Sequence, residues 1–179
     1  MNTTGTGKDD CDNIESLIET LKGNDIIARQ NARSCLVEIG EPALDALIEA
    51  FEIDKYQVHW EVAKALSQIG TPKAAQALVD ALEDQDFSVR WIAAEGLIHI
   101  GANGLVPLLK ALRENTDSVW LREGCHHVIH DLVNRKIVDN EIQECLLPVL
   151  DALNHFVAMV ETNAAANKAL EIIQKKTAG

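Results

Sequence analysis

An internal repeat with a period of about 30 residues, within the range of helical repeat arrays, constrains this chain more than any other feature of its sequence. The segments SCLVEIG, KALSQIG and EGLIHIG each end in a glycine, and these glycines are Gly40, Gly70 and Gly101. Leucines upstream keep nearly the same spacing, at Leu17, Leu47, Leu78 and Leu108. Several sequence positions that recur at the same intervals indicate a repeat architecture, in which each unit is one supersecondary element stacked on the next.

Each unit carries two patterns of apolar residues three and four positions apart, which predicts two helices. Pro42 and Pro72 suit the first position of a helix, and Thr71 is a candidate N-cap. Asp54 and Asp86 lie near the starts of the second helices, and the closing glycine can adopt the left-handed conformation that ends a helix. Since two short helices cannot bury their apolar faces alone, we expect an all-α superhelix, or α-solenoid, of about five antiparallel helix pairs.

The last two units depart from the regular spacing. The apolar stripe from Leu121 to Leu132 matches the stripe from Val89 to Ile100 at an offset of 32. A fifth unit then matches at an offset of 41, because both of its predicted helices agree on that value. This register makes the segment NRKIVDNEIQ an inserted connection.

Composition and charge narrow the functional classes. Hydrophobic residues make up 47% of the 179 residues and aromatic residues only 4%, which favours packed helices over a sheet. The formal net charge of -12 opposes binding to phosphates, so we expect no nucleic-acid partner. No apolar run approaches the roughly 18 residues that a membrane span needs, so we expect no membrane partner.

The N-terminal segment and the cysteines indicate an ordinary intracellular domain. Residues 1–11 are polar and read as a flexible tail, followed by a single solenoid domain over residues 12–179. The four cysteines are widely spaced and form no CxxC pair: Cys11, Cys35, Cys125 and Cys145. We therefore expect free thiols and a cytoplasmic location.

The clearest repeat runs from Asp84 to Gly101, DQDFSVRWIAAEGLIHIG, with an Asp-containing turn, Val-Arg, two small residues, then Leu and Ile-Gly. This pattern resembles HEAT-like repeats of the phycobilisome-lyase type, and the resemblance covers about residues 12–176. It implies a curved solenoid whose second helices line the concave face. Members of this repeat class include bilin lyase subunits, protein-assembly scaffolds and the di-iron enzyme deoxyhypusine hydroxylase, so the resemblance alone does not fix the function.

The hydroxylase function is excluded by the residues at its metal positions. That enzyme needs His-Glu pairs ten and nine residues before the closing glycine. The corresponding pairs here are Gln30-Asn31, Trp60-Glu61, Trp91-Ile92 and Glu123-Gly124. Only Glu61 matches, and without the imidazoles a di-iron site of that kind cannot form.

Two tryptophans mark a candidate partner surface. Trp60 and Trp91 occupy the same repeat position in successive units and project opposite the core stripe of their helices. They predict a binding ridge on the concave face. The alternative is that they tuck against neighbouring helices. The predicted partner-binding set is Trp60, Glu61, Lys64, Trp91, Glu95, His99 and His127.

A basic column lies beside the tryptophans, at Arg29, His59, Arg90 and Arg122. Arginine forks match carboxylates, so the column is expected to form a structural ladder with aspartates of adjacent turns. The candidate partners are Asp54, Asp86 and Asp117.

A histidine cluster gives a weak metal alternative. His126 and His130 lie four residues apart on one helix face, a spacing that can supply two zinc ligands. His127 occupies the place of the glutamate in an HExxH motif, so the general base of such proteases is missing. Hydrogen-bonded or solvated histidines are the simpler interpretation.

These features favour an interaction scaffold over an enzyme. No Ser/His/Asp ordering, phosphate-binding glycine loop or close carboxylate pair is present in the sequence, and no cofactor is expected. We expect a scaffold that holds a partner protein segment, or alternatively a small molecule, along the concave face. A bilin-lyase-like chromophore-binding subunit is the second hypothesis, from the resemblance alone, and a metal-binding HEAT-repeat protein is the third.

Overall fold

The computed structural model describes residue 11, residues 13–155 and residues 159–177, so the predicted tail lies almost wholly outside the described residues. Within this part of the chain there are ten α-helices and no strand. The first six are α1 (Ile14–Leu21), α2 (Ile26–Ile39), α3 (Leu44–Glu49), α4 (Tyr56–Ile69), α5 (Ala75–Asp80) and α6 (Phe87–Ile100). The others are α7 (Leu105–Glu114), α8 (Val119–Asn134), α9 (Asn140–Asn154) and α10 (Met159–Thr177). The all-α prediction is confirmed.

Glycines end the second helices as the repeat predicts. Gly40, Gly70 and Gly101 have φ angles of 73°, 63° and 70°, a region that favours glycine because it has no Cβ. Gly40 therefore ends α2, and the 3-10 turn Glu41–Ala43 follows it. At each of these glycines the chain reverses direction, and the first helix of the next unit begins.

The helix starts confirm one predicted cap and correct two others. Asp86 accepts a hydrogen bond from the backbone N–H of Ser88 at 2.7 Å and caps α6. Lys55, not Asp54, occupies the cap position of α4 and gives no side-chain bond. Thr71 precedes the 3-10 turn at Pro72, but its buried hydroxyl makes no hydrogen bond and does not cap it. The sequence located these turns but not the hydrogen bonds within them.

The first four helix pairs stack in two layers around one core. The second helices pack in sequence, α2 on α4, α4 on α6 and α6 on α8, while α5 packs on α7 in the layer of first helices. The leucine column that defined the repeat is buried between the layers, at Leu17, Leu47, Leu78 and Leu108. The offset of 32 is also confirmed, because α6 begins at Phe87 and α8 at Val119.

The fifth pair corrects the predicted register. The offset of 41 predicts that α9 lies beside α7 and that α10 lies beside α8. Instead α10 packs mainly along α7 and α9, and α9 packs against α8. The predicted insertion NRKIVDNEIQ is only partly a connection, because its last four residues form the first turn of α9. The fifth pair therefore packs on the fourth in reverse order, with its second helix on α7 and its first helix on α8. Both long helices cover apolar faces of the fourth pair.

A disulfide joins Cys11 to Cys35, with 5.1 Å between their Cα atoms. The expectation of four free thiols is wrong for this pair, because the turn between α1 and α2 brings the start of the chain beside α2. The cysteines of this chain therefore do not indicate a cytoplasmic location. Cys125 and Cys145 are free, and burial raises the pKa of both thiols.

One stretch, Phe87–Glu114, is long and apolar enough by length and composition to cross a membrane. It comprises α6 and α7, which are separated at Gly101. Its most apolar 18-residue window is 61% buried inside the solenoid. Most of this window is therefore the buried face of two successive helices.

Candidate partner-binding site

The first residue of each second helix is an exposed apolar side chain. These residues are Ile26, Tyr56, Phe87 and Val119, and they are between 47% and 66% exposed. They occupy one repeat position, since each is the residue at which its helix begins. The solenoid therefore carries an apolar edge along the starts of α2, α4, α6 and α8. Sequence reasoning missed this column, although the leucine offsets of 30 and 31 and the α6-to-α8 offset of 32 could have found it.

Three aromatic rings surround an open cavity between α6 and α8, which we call the aromatic pocket. Its lining includes Phe87 and Trp91 of α6 and Trp120 of α8, and its volume is about 150 Å³. Trp91 is 48% exposed and Trp120 is 42% exposed. Large aromatic side chains that remain exposed around a concave site are typical of binding surfaces.

Stacking and hydrogen bonds fix the walls of the aromatic pocket. The Arg90 guanidinium lies 4.6 Å from the centre of the Trp120 ring and donates to the backbone carbonyl of Asp84 at 2.7 Å. On the other side, the rings of Trp91 and His127 stack with centroids 4.6 Å apart. The pocket is therefore held in shape before any partner arrives.

Glycine lets α8 approach the core behind the aromatic pocket. A Cβ on Gly124 would lie 2.9 Å from a terminal carbon of Leu82, closer than side-chain packing allows. Gly124 also contributes to the lining of the pocket. A larger residue there would require the Leu82 side chain or α8 to shift.

The two predicted tryptophans have different surroundings. Trp91 lines the aromatic pocket, whereas Trp60 is partly buried, packs against the core and has the Arg33 guanidinium 5.5 Å from its ring centre. The ridge of Trp60 and Trp91 stays a prediction. The ring that shares the pocket with Trp91 is Trp120, which sequence reasoning missed because its repeat equivalents are Ser88 and Gln57.

Glu61 is buried in an ion-pair cluster. Its side chain is 4% exposed, Arg33 Nη1 lies 2.6 Å from one carboxylate oxygen, and Arg29 Nε lies 3.6 Å from the other. These contacts join α2 to α4. Because the carboxylate is already surrounded, we leave Glu61 out of the proposed binding surface.

The remaining predicted residues lie along the same row of helices. Glu95 Oε1 is 3.1 Å from His127 Nε2, which links α6 to α8. His99 is exposed, and its Nδ1 lies 3.2 Å from the backbone carbonyl of Ser67. Lys64 is partly buried on α4. Of the predicted set, Trp91 and His127 contribute to the aromatic pocket.

The basic column forms a structural ladder, but with partners different from those predicted. Arg29, Arg90 and Arg122 each donate to the carbonyl six residues earlier, at 2.9, 2.7 and 3.4 Å respectively. His59 Nδ1 contacts Asp84 Oδ2 at 2.6 Å. The predicted pairing with Asp54, Asp86 and Asp117 is wrong, because the arginines close the preceding turns through backbone carbonyls.

The rings of His126 and His130 stack with centroids 5.7 Å apart. His126 Nε2 lies 3.1 Å from Asn154 Oδ1, and a His130 ring nitrogen lies 2.8 Å from Asn134 Nδ2. These contacts agree with the simpler interpretation, in which both histidines are hydrogen-bonded side chains. The metal alternative for this pair stays a prediction.

Stacked helix pairs around a continuous core make this chain an all-α helical-repeat protein, a HEAT-like superhelix. Residues 14–98 match the family model described as HEAT repeats. The recognition of HEAT repeats from the sequence is thus confirmed, whereas the narrower phycobilisome-lyase type stays a prediction.

Two solved structures are similar to this chain, and both are crystal structures of engineered proteins. The first is 21% identical with a TM-score of 0.43, covering 90% of this chain and 81% of the other. The second is 18% identical with a TM-score of 0.40, covering 90% of this chain and 79% of the other. The comparison with curated proteins gives no match.

Proposed function

We propose that this chain is a protein-interaction scaffold that binds a partner segment at the aromatic pocket between α6 and α8. HEAT repeats generally serve protein interactions, which supports the class of function. The single observation that carries the location is the set of three exposed aromatic rings around one open cavity. Tryptophan and arginine are enriched among the few residues that dominate binding energy, and this pocket contains both.

The size of the pocket favours one apolar side chain as the anchor of the partner. A cavity of about 150 Å³ has room for one benzene-sized group. Phe87, Trp91 and Trp120 present ring faces and edges to that group. The anchor is therefore an aromatic or leucine-like side chain.

The apolar edge extends the proposed contact beyond the pocket. Neighbouring second helices lie about 10 Å apart in packed helical layers, and a polyproline II chain covers about 9 Å in one turn of three residues, which returns its side chains to the same face. A partner segment that crosses the starts of the second helices would place its apolar side chains about three residues apart. Phe87 is common to the edge and to the pocket, so one segment can contact both.

Charge favours a basic partner segment. The net charge of -12 attracts cations over a distance set by the ionic strength. Glu123 lines the pocket, and the lysines or arginines of a partner would meet this negative surface. Arg90 stays positively charged in its contacts with Trp120 and the Asp84 carbonyl, so basic side chains of a partner would pair with Glu123 and avoid Arg90.

The chromophore hypothesis receives less support from this pocket. Sites for drug-sized ligands have volumes of roughly 300–1,000 Å³, whereas the aromatic pocket has about 150 Å³. A tetrapyrrole is larger than a benzene-sized group. A partner side chain fits the pocket better than a bilin does.

A displayed library of random peptides, selected on the wild-type protein, tests the proposal. We expect the selected peptides to combine one aromatic or leucine anchor with flanking lysines or arginines. Trp91→Ala and Trp120→Ala should each weaken peptide binding by about 30-fold, the equivalent of roughly 2 kcal/mol. Trp60→Phe, which keeps an aromatic ring against the core, is the control and should change peptide affinity little. Peptides that bind both pocket variants as tightly as the wild type would overturn the proposal.

A further inference from the structure

Three potential metal ligands meet beside the aromatic pocket. Glu95 lies on α6, and His127 and Asp131 lie on α8. One ligand atom from each of these side chains lies within 4.8 Å of the others, and all three side chains are partly buried. The cluster is distinct from the pair His126 and His130 that the sequence singled out.

Helix geometry explains why these residues converge. His127 and Asp131 are four residues apart, so they lie on the same face of α8. The offset of 32 that aligns α6 with α8 places Glu95 at the repeat position of His127, and its Oε1 lies 3.1 Å from His127 Nε2. The Trp91 indole stacks on the imidazole and fixes the plane of the ring. The ligand set is thus held by two packed helices and an aromatic neighbour.

Asp131 forms an ion pair with Arg135 beside the other two potential ligands. Its Oδ2 atom is buried and has no hydrogen bond of acceptable geometry, although Arg135 Nη2 forms an ion-pair contact at 2.6 Å. The Asp131 side chain is 15% exposed, whereas that of Arg135 is 58% exposed. A metal ion bound through this oxygen would displace Arg135, whose side chain is the more exposed of the two.

We propose that Glu95, His127 and Asp131 bind a divalent transition-metal ion of the zinc type. One imidazole nitrogen and two carboxylate oxygens are ordinary zinc donors, at about 2.0–2.2 Å from the ion, and a water molecule completes a tetrahedral shell. Donor atoms in such a shell lie roughly 3.5 Å apart. The three ligand atoms lie within 4.8 Å of one another, and small side-chain rotations bring them to the roughly 3.5 Å spacing of a tetrahedral shell.

Metal binding does not depend on the proposed partner site. The aromatic pocket contains His127 in its lining, but neither Glu95 nor Asp131 contributes to it. Substitutions of the two carboxylates therefore test the metal site while leaving the aromatic rings in place. Loss of peptide binding and loss of metal binding are separate results.

Zinc titration of the whole purified chain by calorimetry tests the metal site, after dialysis against a chelator. We expect one zinc ion per chain. Glu95→Gln and Asp131→Asn should each weaken zinc binding by more than about tenfold, a loss at the lower end of that seen when groups supporting a metal site are removed. His126→Ala is the matched control and should keep wild-type zinc affinity, whereas His130 is left in place because its Nδ1 lies 3.6 Å from Asp131 Oδ1. Circular dichroism melts verify that each variant is folded.

Tryptophan fluorescence gives a second measurement at the same site. Co²⁺, a paramagnetic substitute for zinc, should quench Trp91 because its ring stacks on the ligand His127. The quenching should disappear in Trp91→Phe, which retains the three ligands, while zinc still binds. Zinc binding that survives both carboxylate substitutions, or that is lost in His126→Ala, would overturn the proposal.

Discussion

The indole of Trp91 stacks on the imidazole of His127, with ring centroids 4.6 Å apart and 27° between the ring planes. This contact joins α6 to α8 and forms one wall of the aromatic pocket. On its other side, His127 contacts Glu95 through Nε2. A single ring pair therefore separates the proposed partner site from the proposed metal site, and Trp91 is a sensitive reporter for both.

Trp91 and Trp60 should respond differently to truncation. Trp91→Ala should lower the free energy of unfolding by about 1 kcal/mol, because an exposed ring loses mainly its aromatic stacking. Trp60→Ala should lower it by about 3 kcal/mol, because this ring packs against the core. Urea denaturation of both variants measures the difference. A larger loss for Trp91 than for Trp60 would contradict the described packing.

Glu61 should be important for stability and not for partner binding. Glu61→Ala leaves Arg29 and Arg33 largely buried without their carboxylate, and we expect a loss of about 3 kcal/mol in the free energy of unfolding. Glu49→Ala, at an exposed position of α3, is the control and should change stability by less than about 0.5 kcal/mol. Equal effects of the two substitutions in urea denaturation would show that the ion-pair cluster is not structural.

The repeat made the fold predictable because the apolar residues that recur at its period are the ones buried in the core. Leu78 and Leu108 are buried as their positions require, and Gly70 and Gly101 end helices at positive φ. The reversed fifth pair was not predictable in this way. Its order depends on how the long helix α10 packs on α7, and that preference leaves no periodic signal in the sequence.

The Asp86 cap should make stability depend on pH. Hydrogen bonds first from the Ser88 hydroxyl and then from the Ser88 backbone hold the pKa of the Asp86 carboxyl below its ordinary value. A lowered folded-state pKa adds stability above the unfolded-state pKa of about 4, and this stability is lost as the pH falls through the folded-state pKa.

Asp86→Asn keeps the cap geometry but removes the charge. The melting temperature of the wild type should therefore exceed that of Asp86→Asn at pH 7, and the difference should shrink as the pH falls below about 4. Asp54→Asn is the control, because α4 has Lys55 at its cap position. A difference that is constant from pH 7 to acid pH would contradict the charge argument.

The disulfide should stabilise the start of the solenoid. Cys11 and Cys35 are 24 residues apart in sequence, and closing a loop of that length is worth about 3 kcal/mol. We expect a reducing agent to lower the free energy of unfolding of the wild type, and Cys35→Ser to abolish that sensitivity. Cys145→Ser should leave it unchanged. A wild type that is equally stable with and without reductant would contradict this prediction.

The candidate site was only half predictable, for a physical reason. Trp91 stood out because Trp60 occupies the same repeat position, but Trp120 aligns with Ser88 and Gln57 and so belongs to no aromatic column. Its role comes from the gap between α6 and α8, where Arg90 holds its ring. Contacts between different repeat positions, such as this one, require the packed structure.

The central claim is that a partner segment anchors in the aromatic pocket, and the indole N–H signals of the three tryptophans test it most directly. Single Trp→Phe variants assign the signals, and a peptide selected on the wild-type protein is then titrated into the ¹⁵N-labelled chain. We predict that the signals of Trp91 and Trp120 shift with the bound fraction, while that of Trp60 moves little. Saturable binding that leaves Trp91 and Trp120 unchanged, or that shifts Trp60 alone, would contradict the account.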